Sequence, residues 1–370
     1  MNTEIFYPTK IIFGNNSSTN SKSFKNLFKK NILIVTNNIL KKNHLNKISK
    51  LLLRKKNKVK RIFIKDNEPI DTQINNNIII YKKFDYLLAL GGGSVIDFSK
   101  ALCIKMSFPK KDIWDFTTHK TSKKIEIKKK LTPIIAIPTT AGTGSEVTPF
   151  CVIENKKYGK STIKCKSIIP HQAIIDSVFL KSLPRKIRAY TVIDALAHSI
   201  ESFLSKKKGK HEFVEMFASQ AIILIIKNIK KYLTSNNTET LNHVARASTL
   251  AGMSISSGGT CAPHAFGQAL TNFVKVPHGY SIYLFLFKIL ILTEKKHLKY
   301  LSSKIGFNIL TEARKINNLI KLPKKIRVNK DIKKKIMKEL IELRIQSIRK
   351  YPANIDLKRI NKILDEVLIQ

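Results

Sequence analysis

Asp194 and His198 stand four residues apart in the stretch YTVIDALAHSIESF, Tyr190 to Phe203. On a helix that interval stacks a carboxylate and an imidazole on one face, with Cβ atoms roughly 5–6 Å apart. Two donors on one rigid face can grip a divalent cation with little further ordering. Taken alone, the pair reads more plainly as a hydrogen-bonded couple on a helix surface. Further on, His264 and His278 occur in TCAPHAFGQALTNFVKVPHGYS, the second within a Pro-His-Gly turn. Each alone fits a satisfied structural histidine. With Asp194 and His198 they make three imidazoles and one carboxylate, a donor set that suits Fe²⁺ or Zn²⁺ with one position left open for substrate.

A second kind of chemistry is written in glycines and hydroxyls. The run YLLAL leads into Gly91-Gly92-Gly93-Ser94-Val95-Ile96-Asp97, and FSKALCIKM after it reads as a helix. Bare backbone at a strand-to-helix turn lets an anion approach closely, and the helix N-terminus offers it unpaired N–H groups. A dinucleotide pyrophosphate suits such a turn. The pattern is not a strict G-x-G-x-x-G, so a tight turn without a ligand, with Ser94 a simple N-cap, stays open. The segment LTPIIAIPTTAGTGSEVTPF carries Thr139, Thr140, Gly142, Thr143, Gly144 and Ser145. These are short donors for phosphate and ribose oxygens, or else a solvated loop.

The elements that must position these residues fall into two styles. Ile32–Thr36, Tyr86–Leu90 and Ile134–Ile137 are short, unbroken apolar runs, typical of strands covered on both faces, and Val59–Ile64 is read as the same type. Basic helical stretches lie between them, which predicts a parallel sheet with helices on both sides. From about Leu180 amphipathic helices take over: Arg188–Phe203, Glu212–Tyr232, Thr238–Ser254 and Ile282–Leu298. The fold class is therefore an α/β, Rossmann-like N-terminal domain, residues 1–183, followed by an all-α domain, residues 184–370, with the break near Pro184.

Composition narrows the function class. With 370 residues the chain can bury a substantial core. Cys103, Cys151, Cys165 and Cys261 show no C-x-x-C pairing, so reduced thiols and a cytoplasmic setting are expected. The start, MNTEIFYPTKIIFG, lacks the layout of a secretory signal, and no apolar window reaches the length of a membrane span. Lysine and arginine total 68 against 25 acidic residues, a net charge of +43. That excess points either to a polyanion partner or to drift of an AT-rich coding sequence, since Lys, Asn and Ile are abundant together throughout. The lysines are dispersed and not interleaved with stacking aromatics, which favours drift over nucleic acid. Stability and solubility should then be salt-sensitive.

Five stretches together resemble one family: FYPTKIIFG, GGGSVIDFSKA, PTTAGTGSEVTPF, LPRKIRAYTVIDALAHSIES and HAFGQALTNFVKVPHG. In this order, and across nearly the whole chain, they are similar to the iron-containing, group III alcohol dehydrogenases, whose architecture is dehydroquinate synthase-like. The resemblance implies a dinucleotide domain, a helical domain, and a metal in the cleft between them. Asp194, His198, His264 and His278 match the family's four metal-ligand positions. Gly92, Gly93, Ser94, Val95, Ile96, Asp97, Thr139, Thr140 and Thr143 fall on its nicotinamide-cofactor segments, and Lys160 matches a cofactor-contacting lysine by a looser alignment. The resemblance further implies NAD or NADP, Fe²⁺ or alternatively Zn²⁺, a small alcohol or aldehyde substrate, and a homodimer or higher homo-oligomer.

Three departures stand out. Asn37 replaces an aspartate that in many members meets the adenosine ribose and repels a 2′-phosphate, so NADPH is no longer disfavoured. Gln268 stands where a second histidine often lies close to the nicotinamide; it can hydrogen-bond but cannot relay a proton. A Pro-rich segment after the Pro-His-Gly turn is missing. The expected activity is interconversion of a primary alcohol and its aldehyde. A polyol or hydroxyaldehyde dehydrogenase or an anionic-carbonyl reductase on the same scaffold is the near alternative, and an inactive basic nucleic-acid-binding protein the remote one.

Overall fold

The computed structural model describes residues 6–38, 42–65, 70–77, 82–207 and 211–369, so the first five residues of the N-terminal stretch lie outside it. The chain divides into two units, one of Ile5–Thr140 with Gly144–Ser182 and one of Ala141–Thr143 with Leu183–Gln370.

The first unit is built on a parallel sheet of six strands: β1 (Lys10–Phe13), β2 (Asn31–Asn37), β3 (Lys58–Ile64), β4 (Tyr86–Gly91), β5 (Ile134–Pro138) and β8 (Gln172–Ile175). Their order across the sheet is β1-β8-β5-β4-β2-β3. Helices α1 (Lys42–Arg54), α2 (Ile70–Asn75) and α3 (Gly93–Ser107) alternate with the strands. Successive side chains of a strand point to opposite faces, and here they enter two different cores. Leu33, Val35, Leu87 and Ala89 pack with Val95, Phe98 and Leu102 of α3. Ile32, Ile34, Leu88 and Leu90 pack with Leu45, Ile48 and Leu52 of α1. An unbroken apolar run is what a strand covered on both sides requires.

β3 does not follow that reading. It is the edge strand, and Lys58, Lys60 and Arg61 leave it largely exposed. Cations on an edge blunt its tendency to recruit a further strand. β6 (Phe150–Asn155) and β7 (Gly159–Lys164) form a separate antiparallel hairpin, which the apolar-run reading did not find.

Strand order places the ligand end of this sheet. β2 proceeds through α1 to β3 on one side, whereas β4 lies on the other side of β2 and continues through α3 to β5. The reversal falls between β2 and β4, where parallel α/β sheets open a crevice beyond the strands' carboxyl ends.

The second unit is helical: α4 (Arg185–Leu204), α5 (Glu212–Thr234), α6 (Thr238–Gly258), α7 (Ala262–Phe273), α8 (His278–Leu290), α9 (Lys295–Ile305), α10 (Ile309–Ile320), α11 (Lys330–Glu339), α12 (Ile345–Arg349) and α13 (Leu357–Val367). α4 is buried on nearly every side and packs against α5, α6, α7 and α8. The helix expected over Ile282–Leu298 is two: α8 stops at Leu290, and α9 restarts after Glu294. A two-residue parallel pair, β9 (Ile326–Arg327) with β10 (Leu368–Ile369), is the strand content of this unit among the described residues. A single π-turn, Leu340–Arg344, joins α11 to α12. Among the described residues no helix is long and apolar enough to cross a membrane.

Candidate functional site

Within α4, Asp194, His198 and Glu201 fall on one face, at intervals of four and three residues. α7 brings His264 to that face and the first residue of α8 brings His278. Close packing makes this delivery feasible. A Cβ on Gly279 would lie 2.1 Å from the Tyr190 carbonyl oxygen, so the start of α8 meets α4 backbone against backbone.

The donors converge on one carboxylate oxygen. Asp194 Oδ1 lies 3.7 Å from His198 Nε2, 3.3 Å from His264 Nε2 and 3.5 Å from His278 Nε2. Asp194, His198 and His264 are all buried, and each offers an atom within 4.8 Å of the others'. His278 is the more exposed member and stands outside that tight trio. Metal bonds of about 2.0–2.2 Å in a tetrahedral arrangement separate neighbouring ligand atoms by roughly 3.3–3.6 Å. The observed separations fit that spacing.

Two further observations favour a cation. Asp194 Oδ1 and His264 Nε2 are fully buried and have no hydrogen-bond partner among the described residues, an arrangement that is costly unless something else satisfies them. Both buried imidazoles are also held by their other nitrogen. His264 Nδ1–H donates to Glu201 Oε1 at 2.5 Å, and His198 Nδ1–H donates to the Gly142 carbonyl at 3.3 Å. A donor bond at Nδ1 leaves the Nε2 lone pair free for a metal and fixes the ring. Gly142 can serve because it has no side chain: a Cβ there would come within 2.7 Å of the Thr191 carbonyl oxygen.

The electrostatics agree. Burial works against charge on His264, but Glu201 and Asp194 outweigh it and push its pKa up to about 10, so a proton competes with a metal for Nε2. Burial likewise opposes ionisation of Asp194, yet His198, His278 and His264 hold its carboxyl well below the usual range. Burial pushes His198 down. The pocket thus favours one added positive charge beside Asp194, the role an ion would fill.

Glu201 was not among the residues expected at the site. Its signal was present, a charged residue on the apolar face three positions after His198. Fully buried, its Oε2 also accepts the Cys261 N–H at 2.6 Å. Glu201→Gln should weaken metal affinity about 10–100-fold with the helical unit still folded. The amide must either turn its NH₂ toward Nδ1, inverting the tautomer, or face the Cys261 N–H donor to donor. A chelator-competition titration reads the affinity, and a wild-type value would remove Glu201 from this role.

The residues expected to meet a dinucleotide divide into two groups. Asn37 ends β2, Gly92 and Gly93 follow β4, and Thr139 and Thr140 follow β5, so five of them sit at the carboxyl ends of three adjacent strands. Thr139 N–H donates to the Gly91 carbonyl at 3.0 Å, and a Cβ on Gly92 would stand 3.2 Å from Thr140 Oγ1. Gly92 caps α3, Gly93 and Ser94 open it, and Ser94 is exposed.

The second group does other work. Val95 and Ile96 are core side chains, and their N–H groups donate to the Gly92 carbonyl at 3.0 and 3.2 Å, so neither is free for a phosphate. Asp97 accepts from Ser145 Oγ–H at 2.6 Å and from the Val152 N–H at 2.9 Å, which makes it an anchor for the following loop. Thr143 belongs to the Ala141–Thr143 tripeptide of the helical unit. Lys160 lies on β7 opposite Glu154, in the hairpin whose β6 packs on α3. Gln268 lies on α7 one turn after His264, and its carbonyl oxygen accepts from Arg344 Nη1 at 2.7 Å.

The chain is similar to known proteins in both halves. A family model for iron-containing alcohol dehydrogenase matches residues 8–177, and one for the Fe-containing alcohol dehydrogenase family, C-terminal, matches residues 188–348. Aldehyde-alcohol dehydrogenase 2 of Entamoeba histolytica is 30% identical over 290 residues, 75% of this chain; the match spans 33% of that relative's own length. An iron-containing alcohol dehydrogenase structure from Thermotoga maritima superposes with a TM-score of 0.85 at 25% identity, covering 99% of each chain. The structure of sulfoacetaldehyde reductase from Bifidobacterium kashiwanohense in complex with NAD+ shares the fold, with a TM-score of 0.85 at 24% identity over 98% of each chain.

Proposed function

The chain belongs to the iron-containing alcohol dehydrogenase family, and from that premise we propose that it is a metal-dependent oxidoreductase interconverting a primary alcohol and its aldehyde with NAD(H) or NADP(H). The observation that carries the reading is the convergence of three imidazole Nε2 atoms on Asp194 Oδ1, with that oxygen and His264 Nε2 buried and unsatisfied.

Asp194, His198, His264 and His278 would hold the ion, Fe²⁺ or Zn²⁺. When bound, it supplies Lewis-acid polarisation of the substrate oxygen, while the nicotinamide carries the hydride. The chain's own share is positioning. Glu201 and the Gly142 carbonyl keep two imidazoles presenting Nε2, so no ligand has to reorganise when charge develops on the substrate. Burial of Asp194, His198 and His264 keeps water from their side of the site, which strengthens each electrostatic contact. On the α/β unit, Gly92, Gly93 and Thr140 supply close backbone and a hydroxyl for a pyrophosphate at the head of α3. Gln268 has no proton to relay, so proton exchange must run through other groups or through water.

Metal analysis of gently purified protein, with NAD(P)H oxidation followed against a panel of aldehydes, tests the reading. Metal-free protein that stays inert after Fe²⁺ or Zn²⁺ is restored would sink it. Asn37, at the end of β2, carries no charge to repel a 2′-phosphate. Asn37→Asp should therefore move the NADPH-to-NADH ratio of kcat/KM about 10–100-fold toward NADH. An unchanged ratio would show that this position does not set the preference.

A further inference from the structure

The side chains beyond His264 on α7 form a polar ladder. Gln268 and Asn272 follow at intervals of four, so the three share one helix face. Across from them, the π-turn ends in Arg344. A π-turn widens the helix locally and re-aims the residue that leaves it. Arg344 Nε and Nη2 donate to Glu339 Oε1 at 3.1 and 2.9 Å, Nη1 donates to Gln268 Oε1 at 2.7 Å, and Asn272 Nδ2 donates to the same Glu339 oxygen at 2.8 Å.

This arrangement decides which way the Gln268 amide faces. A guanidinium only donates, so the amide must turn its oxygen to Arg344 and its NH₂ away. Long helical side chains lie back over the turn N-terminal to their own Cα, and for Gln268 that turn carries His264. Gln268 Nε2 has no partner among the described residues. Glu339 meanwhile balances the charge of Arg344, so the amide that follows His264 by one turn of α7 is a neutral donor.

We propose that Gln268 is a specificity residue that donates a hydrogen bond to a second, uncharged oxygen of the substrate, and that Arg344 is the positioning residue that orients it. The inference rests on the proposed aldehyde-reductase reading of the same site. Four residues, about 6 Å of rise, separate Gln268 from His264 along α7. That is comparable to the oxygen-to-oxygen reach of a three-carbon hydroxyaldehyde, whose carbonyl would sit at the metal and whose hydroxyl would meet the amide.

The test compares 3-hydroxypropanal with propanal in the metal-loaded full-length protein, with metal content measured on every variant. Wild type should prefer 3-hydroxypropanal in kcat/KM. Gln268→Leu should lower kcat/KM for 3-hydroxypropanal, mainly through KM, and so reduce the ratio of 3-hydroxypropanal to propanal kcat/KM about 10–100-fold. Arg344→Leu should cause the same selective loss, and Arg344→Lys, which keeps a donor to Gln268 Oε1, should restore part of it. No preference in wild type, or an equal loss on both aldehydes at wild-type metal content, overturns the inference while leaving the parent reading standing. Turnover of neither aldehyde by metal-loaded wild type overturns both.

Discussion

His198→Ala should reduce bound metal from about one ion per chain to near none, and lower kcat/KM by at least about 10³-fold, a loss of about 4 kcal/mol in transition-state stabilisation. The imidazole stands 3.7 Å from Asp194 Oδ1 and has its other nitrogen held by Gly142, so alanine removes an oriented donor from the set. Alanine favours helix, and α4 keeps its apolar contacts with four other helices. Circular dichroism should therefore stay close to wild type while metal analysis and turnover collapse together. A variant that retains the wild-type metal content would contradict the placement of His198 in the donor set.

Lys100→Met should destabilise the α/β unit by about 3–5 kcal/mol, the usual cost of leaving a buried charge network without one partner. Lys100 is fully buried on α3, and burial pushes its pKa down while Asp97 beside it acts in the opposite direction. Its ammonium meets the carbonyls of Ser145, Thr148 and Phe150 at 2.7, 2.9 and 2.7 Å. Methionine fills similar volume but leaves those three acceptors unanswered. The only tryptophan of the chain, Trp114, lies in the same core as α3. Its fluorescence in a denaturant titration thus reports this unit separately from the helical one. Dinucleotide affinity should fall with stability, because Lys100 and Asp97 together pin the segment that follows Thr139 and Thr140. A midpoint within error of wild type would show that the network contributes nothing net.

These two variants probe features of very different legibility. The residue types of the candidate metal centre can be picked out from spacing and family likeness, because Asp194 and His198 sit on one helix and the two other imidazoles lie in short motifs. The groups that orient them cannot. Glu201 reaches His264 across 63 positions, and Arg344 reaches Gln268 across 76. Such pairings depend on how α7 meets α4 and the π-turn, which no local pattern encodes.

The sheet repeats the lesson. β2, β4 and β5 announce themselves because both of their faces are apolar. The same reading took in β3, whose three cations among seven residues belong to an exposed edge strand. In the glycine turn, family likeness implied cofactor contacts along the whole run, Gly92 to Asp97. The hydrogen bonds restrict that run: Val95 and Ile96 are closed off within the turn, and Asp97 is turned toward Ser145 and Val152.

Ala141–Thr143 counts with the helices although its neighbours in the chain on both sides count with the sheet. A chimaera that swaps everything after residue 183 between two relatives would thus inherit a foreign tripeptide under its own histidine. The grafting junction that respects the molecule is discontinuous, and this small loan from the first half has to travel with the second.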